Sequence, residues 1–135
     1  MTTHLADVQS ILDTIDASIA TNDFGTYPNK NAIPGAKWAF IDSIEIYNIE
    51  STLERFTFLY EIELRGLTDT IIEAMTQALL TNVFKIKSYT AIVGYTKPTN
   101  MVSINLYSVG SIKKNYGVKT GTWSAHVKLL IKWSA

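Results

Sequence analysis

Residues 56–65 read FTFLYEIELR, and the side chains in this stretch alternate between two chemical types. The apolar series is Phe56, Phe58, Tyr60, Ile62 and Leu64, and the polar series is Thr57, Glu61, Glu63 and Arg65. A period of two is typical of a strand with one face on a core. Residues 38–48, WAFIDSIEIYN, alternate in the same way, so the two stretches predict an antiparallel pair joined by a loop.

Helical spacing occurs on both sides of this strand pair. Apolar residues from Leu5 to Ile19 predict an amphipathic helix over residues 4–20, with Thr2 or Thr3 as its N-cap. After Gly66, the stretch TDTIIEAMTQALLTN predicts a second helix, with a capping box formed by Thr70 and Glu73. Three more strands are predicted at about 84–95, 101–109 and 122–133.

The order α-β-β-α-β-β-β contains no alternating βαβ units. It predicts an α+β fold in which two helices pack on one face of a five-stranded, mainly antiparallel sheet. The chain has 135 residues, which is a usual size for one domain, and we expect residues 1–135 to form a single domain.

Composition excludes several classes of protein. The absence of cysteine excludes disulfides, thiolate metal sites and a cysteine nucleophile. No apolar run has the length of a membrane span, and the N-terminal residues lack the pattern of a signal peptide. The sequence therefore predicts a protein made in the cytoplasm with no membrane contact.

Charge is divided unequally along the chain. All twelve acidic residues lie between Asp7 and Glu73, where only four basic residues occur, giving 4 − 12 = −8. The segment from Met75 onward carries eight lysines and no acidic side chain, giving +8. In one interpretation, strands from the two halves are neighbours and form cross-strand ion pairs. In the other, the acidic face of one subunit meets the basic face of the next. The two interpretations are compatible.

Only two histidines are available for acid–base chemistry. His4 lies at the start of the first helix, where we expect it to be exposed. His126 is predicted to point outward on the last strand, beside Lys128, and it could act as a general base. We favour a structural or interface role for His126.

Three glutamates are predicted on the outward face of the first strand pair, namely Glu45, Glu61 and Glu63. They could form a paired-carboxylate or hard-cation site, but we favour an acidic patch that faces solvent or a channel. The sequence contains no phosphate-binding glycine loop, dinucleotide fingerprint or zinc spacing. It predicts no enzyme activity, no cofactor and no metal.

Other residues are predicted to contact partners. The long loop at 21–37 contains Phe24 and Tyr27, and the loop at 110–121 contains Lys113, Lys114, Tyr116 and Lys119. The second loop resembles nucleic-acid binders in mixing basic and aromatic residues, but we favour contact with a neighbouring subunit. On the last strand, Leu130 with Tyr107 and Val109 predicts an apolar patch that needs a partner, flanked by Lys128 and Lys132.

This layout resembles the tail terminator or tail-completion proteins of tailed bacteriophages: a leading helix, a long Pro/Gly loop, two strands, a helix after RGLTDT and a terminal strand. The resemblance implies a virion protein that forms a homo-oligomeric ring, expected to be a hexamer, at the head-proximal end of the tail. It implies contacts with the tail tube protein and a neck or connector protein. It also implies that DNA passes through the ring without specific binding, with Glu45, Glu61 and Glu63 facing the channel.

Two alternatives remain open. The protein could be another head–tail connector component or a tail tube subunit. A different class is a small ligand-binding or enzymatic domain of the ferredoxin-like or dimeric-barrel kind, with a cavity near His126 walled by tryptophans and tyrosines.

Overall fold

A computed structural model describes residues 3–15, 20–22, 37–115 and 122–135 of the chain. The elements in order are α1 (Leu5–Asp13), β1 (Ala20–Asn22), β2 (Lys37–Glu50), β3 (Arg55–Gly66), α2 (Asp69–Lys87), β4 (Met101–Val109), β5 (Lys113–Asn115) and β6 (Thr122–Ser134). Two helices with a mainly antiparallel sheet confirm the α+β class. The order α-β-β-α-β-β-β is also confirmed, once the three-residue parallel strand β1 is set aside.

Strand β3 lies at the centre of the sheet. The strand order is β1-β2-β3-β6-β4, and β5 pairs with the start of β6. Strand β6 pairs with β3 along its whole length, from Arg55 opposite Ser134 to Gly66 opposite Trp123. The acidic and basic halves of the chain are therefore direct neighbours in the sheet.

The core lies between the helices and one face of the sheet, which we call the inner face. From the sheet, it contains Phe58, Tyr60, Ile62 and Leu64 of β3 with Ala125, Val127, Leu129, Ile131 and Trp133 of β6. From the helices, it contains Val8, Ile11, Leu12, Ile72, Met75, Leu79, Val83 and Ile86. The alternation read from FTFLYEIELR is confirmed, because Phe58, Tyr60, Ile62 and Leu64 all belong to this core. Thr57, Glu63 and Arg65 are also buried, but they lie on the other face of the strand. We call the opposite face of the sheet the outer face.

Two strands depart from regular alternation. The inner-face residues of β2 are Ile41, Ile44, Ile46 and Ile49, and those of β4 are Met101, Ile104, Leu106 and Val109, so both series have spacings of three, two and three. Each spacing of three contains a β-bulge, at which one extra residue is inserted. Val109 therefore shares the inner face with Val127, and its predicted place beside Leu130 is wrong.

The first helix is shorter than predicted. It ends at Asp13 and begins after His4, which has φ 54° and makes no side-chain capping bond. The prediction of Thr2 or Thr3 as the N-cap is therefore wrong. His4 is also not exposed, because its ring stacks on Trp133 with centroids 3.9 Å apart and its side chain is only 10% exposed.

The predicted strand at 84–95 is wrong. Helix α2 continues to Lys87, because Leu79, Val83 and Ile86 prolong its buried stripe at helical spacing. The chain from Ser88 to Asn100 then contains turns and no strand. The helix also begins differently from the prediction: its N-cap is Thr68, whose hydroxyl accepts a hydrogen bond from the Ile71 amide at 3.2 Å, and not Thr70.

The long loops are described only in part. Residues 21 and 22 of the predicted loop at 21–37 belong to β1, which pairs with Trp38, Ala39 and Phe40. Lys113 and Lys114 lie in β5, opposite Ser124 and Trp123 of β6. Phe24, Tyr27, Tyr116 and Lys119 lie outside the described residues.

Candidate functional site

Three adjacent strands bring acidic groups and a histidine together on the outer face. Glu61 of β3 lies 3.5 Å from Nδ1 of His126 on β6, and Glu63 lies 3.5 Å from Nε2 of the same ring. Asp42 enters from the first bulge of β2, and ligand atoms of Asp42, Glu61 and His126 all lie within 4.8 Å of one another. We call Asp42, Glu61, Glu63 and His126 the outer-face cluster.

A buried arginine anchors one side of this cluster. The Arg65 guanidinium lies 3.2 Å from Glu63, and both side chains are only 8% exposed. Arg65 also lies over the rings of Trp38 and Phe40, at 5.9 and 5.6 Å from their centroids. Arginine is suited to this position because its flat, weakly hydrated head can stack on aromatic rings and pair with a carboxylate.

The three predicted channel-facing glutamates all lie on the outer face, but in different environments. Glu45 is exposed, Glu61 is half-buried, and Glu63 is buried against Arg65. Of these three glutamates, Glu45 and Glu61 can present charge to solvent on this face. Whether they line a channel stays a prediction.

The two lysines of β6 on this face, Lys128 and Lys132, lie beside different glutamates. Lys132 forms an ion pair of 2.6 Å with Glu50, and this hydrogen bond lowers the pKa of the Glu50 carboxyl. Lys128 lies directly opposite Glu61 in the β3–β6 register. The two halves of the chain are neighbours in the sheet, as the cross-strand interpretation predicts, and the Lys132–Glu50 ion pair joins β6 to β2 across β3. This pair leaves less charge for contacts between subunits.

A tyrosine pair lies over the predicted apolar patch. Tyr47 and Tyr107 are the extra residues at the second bulges of β2 and β4, and their ring centroids are 6.0 Å apart. Strands β3 and β6 separate β2 from β4, so the rings meet above the outer-face pair Leu59 and Leu130. Leu130 is half-buried for this reason, while both tyrosines remain about half exposed.

Both lateral edges of the sheet are open over long stretches among the described residues. Among the described residues, β1 covers this side of β2 only at residues 38–40, so residues 41–50 pair with β3 but have no strand on their other side. Ile46 and Ile49 on this edge are each 51% exposed. On the opposite side, β4 pairs only with β6, and its sequence MVSINLYSV contains no charged residue and no proline.

Two clefts lie beside the connection from α2 to β4. One has a volume of about 170 Å³ and is lined mainly by residues 86–95. The other, of about 250 Å³, runs beside β4 and is lined by Lys87, Tyr89, Lys97 and residues 102–105. Neither contains His126 or a tryptophan, so they are not the cavity that the ligand-binding alternative predicts.

Sequence reasoning missed Asp42 and the tyrosine pair. The available signal was the uneven spacing of Ile41, Ile44, Ile46 and Ile49, which a strict period of two does not produce. Each gap of three marks a bulge that adds a side chain to the outer face.

A scan against protein-family models found no match, and a search of curated proteins found none either. No described helix is long and apolar enough to cross a membrane.

Proposed function

We propose that the protein is a structural subunit that assembles head to tail with copies of itself through the two open edges of its sheet. The observation that carries this proposal is the pair of long sheet edges, on opposite sides of the molecule, that no strand of the described part of the chain covers. Exposed edge strands present free N–H and C=O groups and invite pairing unless charge, proline or a covering segment blocks them. Strand β4 lacks both charge and proline.

Charge favours contact between unlike edges over contact between like edges. The open part of β2 carries Asp42, Glu45 and Glu50, although Glu50 is paired with Lys132. The cleft beside β4 is lined by Lys87 and Lys97. An acidic edge of one copy therefore faces a basic border on the next, which is a heterologous contact that closes into a ring when the rotation permits.

A ring of this kind fits the resemblance to bacteriophage tail terminators. In this proposal, the protein belongs to the virion tail, and the ring is a hexamer that contacts the tube protein and a neck or connector protein. DNA passes through it, and Glu45 on the outer face repels the phosphate backbone, since attraction would retain the DNA. The proposed ring is supported by the two open sheet edges and by the charges beside them.

Variants at the edge test the proposal. Ile46→Lys places a charge on the open β2 edge and is expected to give a folded monomer, measured by light scattering after gel filtration and by circular dichroism. Leu53→Lys is the matched control, because Leu53 is also exposed, at 58%, but lies in the turn between β2 and β3. An Ile46→Lys protein that assembles as the wild type does would contradict the proposed interface.

A further inference from the structure

The outer-face cluster contains a histidine nitrogen that lacks a hydrogen-bond partner. Nδ1 of His126 is shielded from solvent and has no hydrogen-bond partner, although Glu61 lies 3.5 Å away. A buried polar atom without a partner is uncommon in native proteins and calls for an explanation, such as a bound ion.

Glu63 contacts the other nitrogen of the His126 ring. Its Oε1 lies 3.5 Å from Nε2 of His126, and Arg65 holds the buried carboxylate in place. In a neutral imidazole, a carboxylate at Nε2 favours the proton on that nitrogen, which leaves the lone pair on Nδ1. The nitrogen with that lone pair lies 3.5 Å from the carboxylate of Glu61.

Two electron-rich groups at this distance repel each other unless a proton or a cation lies between them. A proton on Nδ1 would create an imidazolium between two glutamates. A metal ion would instead satisfy Nδ1, Glu61 and Asp42 together. Nδ1 lies 3.5 Å from Glu61, and one ligand atom from each of Asp42, Glu61 and His126 lies within 4.8 Å of the others.

We infer that Asp42, Glu61 and Nδ1 of His126 bind a first-row divalent transition metal such as Zn²⁺, with water completing the coordination. One imidazole nitrogen and two carboxylate oxygens form a donor set that zinc accepts, whereas magnesium and calcium prefer oxygen alone. Glu63 is a positioning residue, since it orients the ring from the far nitrogen. The inference does not depend on assembly. A bound cation would offset the charge of Asp42 and Glu61 and leave Glu45 as the acidic group beside them.

Calorimetric titration of the chelator-treated protein with Zn²⁺ tests the site. The expected result is saturable binding of one ion per chain, lost in Asp42→Asn and in His126→Gln. Glu45→Gln is the matched control, because Glu45 lies on the same face outside the cluster, and it should bind as the wild type does. Circular dichroism of each variant establishes that the fold is retained.

The positioning role of Glu63 is tested by the zinc affinity of a variant. Glu63→Gln is expected to keep one ion per chain and to weaken zinc affinity by roughly 10- to 100-fold, the usual effect of removing a group that orients a ligand. Absence of saturable binding in the wild type would overturn the site. Full binding in a folded His126→Gln variant would overturn it as well.

Discussion

The Tyr60 hydroxyl joins three distant parts of the chain. It donates to the carbonyl oxygen of Thr3 at 2.9 Å and accepts a hydrogen bond of 2.9 Å from the indole of Trp133. His4 stacks on the same indole. This small network holds the start of α1 against the last strand.

We expect Tyr60→Phe to destabilise the fold by about 1–3 kcal/mol, because the buried indole N–H loses its acceptor. Urea denaturation gives the free energy of unfolding directly. Tyr107→Phe is the control, since its ring is half-exposed, and should change stability by less than about 0.5 kcal/mol. Equal effects of the two substitutions would show that the network contributes nothing.

Buried tyrosines also predict how stability depends on pH. Burial raises the pKa of Tyr95 to about 12 from its usual value of 10, and burial also raises the pKa of Tyr60. Because the folded state keeps these hydroxyls protonated, their contribution is intact below pH 10 and is lost as pH rises toward 12. Urea denaturation across this range should show a smaller loss of stability in Tyr95→Phe than in the wild type. Parallel curves would contradict the assignment.

Residue positions were predictable where a local pattern decides them. The outward orientation of His126 follows from alternation and is confirmed by its contacts with Glu61 and Glu63. The burial of His4 was not predictable, because it depends on Trp133 at the other end of the sequence.

At the scale of elements, the N-cap of α2 can be tested, because the structure and the sequence pattern assign it to different threonines. Thr68 accepts a hydrogen bond from the Ile71 amide, whereas the sequence suggested Thr70. Thr68→Ala should therefore lower the free energy of unfolding by about 1 kcal/mol, and Thr70→Ala should have little effect. Thermal melting followed by circular dichroism compares the two variants. A larger loss in Thr70→Ala would support the sequence-based assignment.

The strands show where a period of two suffices and where it fails. Strand β3 alternates regularly and was predicted almost to its ends, at residues 56–65 against Arg55–Gly66. At 84–95, the alternation of Phe84 and Ile86 with Lys85 and Lys87 suggested a strand, but the helical series from Leu79 to Ile86 decides the structure. Burial of that series against the sheet outweighs the local alternation.

At the scale of the whole molecule, the order of elements could be predicted from the sequence. Which acidic and basic side chains lie beside each other in the sheet could not. The antiparallel pairing of β3 with β6 places Glu61 opposite Lys128 and Glu63 opposite His126. Lys132 also pairs with Glu50. These contacts reduce the charge available between subunits, so the proposed assembly depends mainly on the open sheet edges and on the charges beside them.

Self-assembly of the chain is the central claim, and native mass spectrometry of the purified protein at micromolar concentration tests it most directly. We expect a closed ring of one defined stoichiometry larger than two, which a head-to-tail contact between unlike edges forms when its rotation closes. A population made up only of monomers, or of dimers joined through like edges, would contradict the account.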